Sequence, residues 1–260
     1  YALNAQPPDE QLSMISAGFA TSCGVVSKDG SLRCWGAASH MDPPATGQYS
    51  HVTVGTRTAC AISSTSGSLV CWGGNEYKQV SDAPAQEAGF VSASCGGGHC
   101  CGLTTLGQAF CWGGSDAYNH GTSMGQVTAR IIQVSSGEDH ACALVDNGAV
   151  QCWGKCQKGA CAPPTDEHGN PTQFVLIAAG SMHTCGVVAV SGQIKCWGDL
   201  PSEDPQISVE VRRSDRLKSI EAPTQAKEER LVDGSSQGFF GSLVEGIFGQ
   251  KKTGKGSSEF

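Results

Sequence analysis

The sequence predicts an all-β protein: a β-propeller of about five four-stranded blades, closed as a ring or open as an arc, followed by an extended C-terminal tail. Three observations predict it. The tripeptide Cys-Trp-Gly occurs at Cys34-Trp35-Gly36, Cys71-Trp72-Gly73, Cys111-Trp112-Gly113, Cys152-Trp153-Gly154 and Cys196-Trp197-Gly198, and these copies use every tryptophan of the 260-residue chain. Successive cysteines lie 37, 40, 41 and 44 residues apart. An aromatic fixed at such a period marks a repeat architecture. Each copy also holds three strand-like runs and a turn signal. With a further strand in the variable stretch that follows, this is the content of a propeller blade.

A cysteine precedes each Cys-Trp-Gly cysteine by 10 or 11 positions: Cys23 with Cys34, Cys60 with Cys71, Cys101 with Cys111, Cys142 with Cys152, Cys185 with Cys196. Between them lie short apolar runs around Asp29-Gly30 or Asn147-Gly148. Such dipeptides make hairpin turns because glycine accepts the positive φ there. Folding about the turn sets the two cysteines opposite each other, where facing Cα atoms lie about 4.5–5.5 Å apart, within disulfide range. Closing each short loop contributes roughly 2–3 kcal/mol on the chain-entropy account.

Two glycine positions recur. Gly18, Gly55, Gly96, Gly137 and Gly180 precede the first cysteine by five residues, and Gly30, Gly67, Gly107, Gly148 and Gly192 precede the second by four. A third strand leads into each hairpin, at Met14-Ile-Ser-Ala, His51-Val-Thr-Val, Val91-Ser-Ala-Ser, Ile131-Ile-Gln-Val and Val175-Leu-Ile-Ala. The stretches after Cys-Trp-Gly differ between copies and include Met41-Asp-Pro-Pro, Ser81-Asp-Ala-Pro, Asn119-His-Gly-Thr and Ala162-Pro-Pro-Thr. Loops that vary on a repeated scaffold are the expected partner surface.

The pattern Gly-x4-Cys…Gly-x3-Cys-Trp-Gly resembles the repeat of the regulator of chromosome condensation family, in the cysteine-bearing form of crinkly-type plant receptor ectodomains and bacterial secreted propellers. Residues 137–154 carry the best match, and the resemblance covers roughly residues 12–200. It implies a propeller with a binding role; members include an exchange factor, receptor ectodomains and a β-lactamase inhibitor. Many members have seven repeats where this chain has five, so a five-bladed ring, an open arc and a ring completed by other segments all remain open. No residues matching an exchange activity are found.

Composition bounds the rest. A net charge of −7 argues against a nucleic-acid partner, which would need a basic face. No apolar run is long enough to span a bilayer. Without an initiating methionine or a signal-like run, the sequence reads as a mature chain. Fourteen cysteines favour disulfides and an oxidising compartment, secreted or luminal, with a plastid as the alternative. The cysteines outside the hairpins form two Cys-x4-Cys pairs, Cys95 with Cys100 and Cys156 with Cys161. Two more disulfides are the simple reading. Zinc would also need a second matched cysteine pair at each place, and neither has one. His99, His140 and His183 stand two residues before a first cysteine, where copies one and two have Thr21 and Thr58. That recurrence suits a polar group bonding backbone within the blade. No catalytic set, phosphate loop or paired-carboxylate motif stands out, so no enzyme, cofactor, metal or small-molecule substrate is expected.

Residues 201–260 form a second region, a tail without cysteine, tryptophan or tyrosine, carrying 9 Lys or Arg and 10 Asp or Glu. Ile207-Ser-Val-Glu-Val211 alternates as one strand would. In the docking segment 238–250, Phe239, Phe240, Leu243, Val244, Ile247 and Phe248 recur every four residues, along one face of a short amphipathic helix. Its glycines weaken it in isolation, so it is expected to form on docking, against a partner, its own propeller or a membrane surface. The leading functional expectation is a non-enzymatic scaffold or linker subunit of a large assembly, with the propeller as platform and the tail as tether; a phycobilisome-type antenna is one such setting. The alternative is a secreted recognition module, ectodomain-like or inhibitor-like.

Overall fold

The computed structural model describes residues 6–36, 41–84, 89–114 and 129–200. They form five three-stranded antiparallel sheets. Blade 1 holds β1 (Leu12–Ala17), β2 (Thr21–Val26) and β3 (Leu32–Gly36); blade 2 holds β4 (Tyr49–Val54), β5 (Thr58–Ser63) and β6 (Leu69–Gly73). Blade 3 holds β7 (Phe90–Cys95), β8 (His99–Thr104) and β9 (Ala109–Gly113); blade 4 holds β10 (Ile131–Ser136), β11 (His140–Val145) and β12 (Val150–Gly154). Blade 5 holds β13 (Phe174–Ala179), β14 (His183–Val188) and β15 (Ile194–Gly198).

The hairpins sit where their turn glycines put them. Gly30, Gly67, Gly107, Gly148 and Gly192 all have φ between 67° and 84°. In each hairpin the paired cysteines face each other in register. All five pairs are bonded, with Cα atoms 4.0–4.1 Å apart. Every first strand carries an irregularity after its first residue, which turns that residue inward: Tyr49, Phe90, Ile131 and Phe174 are buried.

The hydrophobic core lies between blades. One apolar cluster fills each step, from blade 1 to 2, 2 to 3, 3 to 4 and 4 to 5. The hairpin glycines of blades 1 to 4 also accept from the next blade: the N–H groups of Tyr49, Phe90, Ile131 and Phe174 donate to the carbonyls of Gly30, Gly67, Gly107 and Gly148 at 2.8–3.1 Å. The glycines five residues before the first cysteine mark the inner corners. A Cβ at Gly18, Gly55, Gly96 or Gly137 would collide with the carbonyl oxygen of the next blade's corner glycine. Blades 5 and 1 share no hydrogen bond or core cluster among the described residues. The described residues of the five blades form an open arc.

A fourth strand per blade is absent from the described residues. The stretches after Cys-Trp-Gly are rich in proline and glycine, and their described residues carry turns, with one 3-10 turn at Gln157–Gly159. The tail, with the strand expected at 207–211 and the helix expected at 238–250, lies outside the described residues.

Candidate protein-interaction surface

Three connecting stretches are pinned, among the described residues, by the tryptophan of the blade that follows them. The indole Nε1–H of Trp72 donates to the Met41 carbonyl at 3.1 Å, that of Trp112 to Gln79 at 2.9 Å, and that of Trp197 to Ala160 at 2.9 Å. Met41, Gln79 and Ala160 are buried, while most of the residues around them are exposed. The repeat therefore fixes Met41, Gln79 and Ala160 and leaves most of the described residues around them free to vary on the surface.

The stretch between blades 4 and 5 is the most elaborate. Cys156 and Cys161 are bonded across the 3-10 turn, which presents the Ala160 carbonyl. Thr184 Oγ1 donates to that carbonyl at 3.3 Å. Its single proton is thereby used, so it accepts from His140 Nε2–H at 2.9 Å, which sets the imidazole tautomer. Lys158 is paired with Asp199 at 3.0 Å. Beyond the staple, Thr165 and Pro171 bridge the neck of an exposed loop. Inside it the Asp166 carboxylate accepts from the backbone N–H groups of His168 and Asn170 at 2.9 and 2.8 Å, and from the Asn170 amide. The bonds from Asn170 hold the Asp166 carboxyl below its ordinary range against desolvation, with a lesser contribution from the His168 bond. Residues 165–171 are thus an exposed polar loop held in one shape before any partner arrives.

The remaining predicted positions are placed as follows. Cys95 and Cys100 face each other across β7 and β8 and are bonded. Their sulfurs stack on that of Cys60, at 3.6 and 3.9 Å, between blades 2 and 3. The three sulfurs are already spent in disulfides and offer no thiolate to a metal. His99 and His140 are buried; His140 reaches across to blade 5 rather than to backbone of its own blade, while Thr58 does bond its own blade, at the Gly74 carbonyl. Burial, then the neighbouring His183, depresses the His140 pKa, opposed by Asp139. His51, which donates to the Ala93 carbonyl at 2.9 Å, is likewise depressed by burial. An opening of about 250 Å³ lies where the corner glycines meet. Among the described residues, Glu138 is the one ionisable side chain that lines it. Phe239, Phe240, Leu243, Val244, Ile247 and Phe248 lie outside the described residues. Sequence reasoning missed the anchoring carbonyls, because a main-chain acceptor leaves no side-chain signature.

With this geometry in hand, comparisons with known proteins are informative. The regulator of chromosome condensation (RCC1) repeat matches residues 90–119 and 131–159, which contain blades 3 and 4. The chain carries RCC1-type repeats. No curated protein sequence matches it. Among solved structures, the entire ectodomain of the Physcomitrella patens receptor kinase CR4 is similar at a TM-score of 0.64 and 24% identity, over 76% of this chain and 55% of that one. The CRINKLY WD40 ectodomain of the Arabidopsis thaliana receptor kinase ACR4 gives 0.63 and 21%, over 75% and 68%. Yeast RCC1 (Prp20), solved with Kap60 bound, gives 0.59 and 16%, over 72% and 56%. These likenesses establish the propeller fold. The RCC1-type arc thus spans about half of the moss ectodomain's length.

Proposed function

We propose that this RCC1-type arc is a secreted recognition module that binds a protein partner through its connecting stretches, led by the stapled segment 155–173. The observation that carries this reading is the division of labour around Trp72, Trp112 and Trp197: a rigid, disulfide-closed hairpin holds one buried carbonyl, and the exposed residues beyond it are free to specify a partner. Rigid scaffolds with variable loops are how binding surfaces are commonly built. Preorganisation of 165–171 by Asp166 reduces the ordering cost of binding. Seven disulfides without a free cysteine among the described residues support an oxidising, extracellular setting. The likeness to receptor ectodomains supports the same setting, whereas neither the fold nor the relatives support an antenna linker or a plastid.

The test uses the intact chain, secreted through an oxidising pathway, biotinylated and applied to intact cells and secreted proteins of its source. Binding that survives 0.5 M salt but is lost when residues 162–171 are replaced by a Gly-Ser linker is expected (salt screens loose surface attraction on the order of a few ångströms). Unaltered binding after that replacement, or none by the parent protein, overturns the proposal.

A further inference from the structure

The step from blade 2 to blade 3 differs from the others in its sulfur content. In every blade the last residue of the first strand faces the second residue of the middle strand: Ala17 with Ser22, Val54 with Ala59, Cys95 with Cys100, Ser136 with Ala141 and Ala179 with Thr184. Blade 3 alone pairs cysteines there, and they rest on the hairpin disulfide of blade 2. Cys95 Sγ lies 3.6 Å from Cys60 Sγ, and Cys100 Sγ lies 3.9 Å from it. At the step from blade 4 to blade 5 the matching neighbour of Cys142 is the Thr184 hydroxyl. Cys60, Cys95 and Cys100 are buried, and Cys71, which faces Cys60 in register, is partly buried. Ile62, Phe90 and Trp112 belong to the same cluster and keep water from the sulfurs.

We propose that Cys60, Cys71, Cys95 and Cys100 form a zinc site when their two disulfides are reduced. In a tetrahedral site with zinc–sulfur bonds of about 2.3 Å, the sulfurs stand roughly 3.8 Å apart. The contacts between the blades, at 3.6 and 3.9 Å, already have that spacing. Reduction by a dithiol delivers two electrons and two protons to each disulfide and leaves a thiol on every one of these cysteines. Each bonded pair then parts by side-chain rotation, and zinc displaces the thiol protons and takes the thiolates. The second cysteine pair that zinc requires is thus supplied by the neighbouring blade. Sequence spacing hides it, because Cys60 and Cys95 are 35 residues apart. A closed four-sulfur set inside an apolar shell is the arrangement of a structural zinc rather than a catalytic one. The metal-bound and disulfide forms exclude each other. An oxidant that donates disulfides takes two electrons from each cysteine pair, re-forms both bonds and frees the ion. The assignment concerns the core between blades 2 and 3 and does not depend on what the connecting stretches bind.

Metal titration of the full-length protein tests it. The chain is reduced completely with a phosphine under anaerobic, metal-free conditions and titrated with Co2+ as an optical stand-in, then with Zn2+. A single equivalent of Co2+ should bring up the visible bands and the near-ultraviolet charge transfer of a tetrahedral thiolate site, and a single equivalent of Zn2+ should bleach them. Both signals should be lost in C60S/C71S and in C95S/C100S, and kept in C185S/C196S, which removes an equivalent hairpin pair. Alkylation of the zinc-loaded, reduced protein followed by peptide mapping should leave Cys60, Cys71, Cys95 and Cys100 unmodified while the other cysteines react. Protection of a different set of cysteines, bands that persist in C95S/C100S, or a reduced chain that takes up no metal would each overturn the proposal.

Discussion

Blades 4 and 5 share one strand plan and one disulfide plan, yet only blade 4 is covered on both faces. Leu144 is 1% exposed and Val150 8%, against the half-exposed Val187 and Ile194 at the same positions of blade 5. The difference shows that a blade's sequence motif specifies its hairpin, while its contribution to stability depends on the neighbour it packs against. Identical substitutions in the two blades separate these two effects.

The largest effect is expected from the disulfides. Replacing both Cys142 and Cys152 by alanine removes the loop constraint and opens a void in the fully buried step to blade 5, for a loss of about 3–5 kcal/mol. The same replacement of Cys185 and Cys196 removes only the constraint, for about 2–3 kcal/mol. Denaturant midpoints of the two variants should differ accordingly; equal losses would mean that burial adds nothing to the bond. Leu144→Ala comes next, at roughly 2–4 kcal/mol, against less than about 1 kcal/mol for Ile194→Ala. Ser135→Ala should cost about 1–3 kcal/mol by stranding the Ala179 N–H, whereas Ala178→Ser should stay within about 0.5 kcal/mol.

A smaller effect is pH dependence. His140 and His51 have pKa values below the ordinary 6.5, chiefly through burial. The unfolded chain therefore takes up protons more readily, and stability is full above pH 6.5 and declines as pH falls from there towards the folded values. Unfolding midpoints at pH 7.5 and 5.5 should show this decline, and His140→Gln should reduce it. An unchanged slope would mean that His140 is not the group that titrates. Asp166→Ala is expected to leave the midpoint alone and to speed amide exchange at His168 and Asn170 only.

Much of the fold was legible because the repeat sits where covalent and steric demands are strict. A turn glycine with positive φ, a corner glycine pressed by the next blade's carbonyl and a cysteine facing another cysteine tolerate few substitutes, so each recurs in all five copies. The fourth strand was expected from strand counting; among the described residues turns take its place, and in three stretches an indole bond holds the chain without a ladder. The change from Ser135 to Ala178 passed unnoticed in the sequence, because a small residue in a strand signals nothing until the N–H opposite it is seen. The loop at 165–171 was read only as variable; its order comes from Asp166 bonding across the turn, a local pattern hidden among exposed polar residues.

The account rests on hairpins locked by disulfides into a stiff arc, and peptide mapping of the secreted protein without reductant tests this most directly. It should recover Cys23–Cys34, Cys60–Cys71, Cys95–Cys100, Cys101–Cys111, Cys142–Cys152, Cys156–Cys161 and Cys185–Cys196, with no thiol open to alkylation. Free thiols at the hairpin cysteines, or bonds joining different blades, would contradict it.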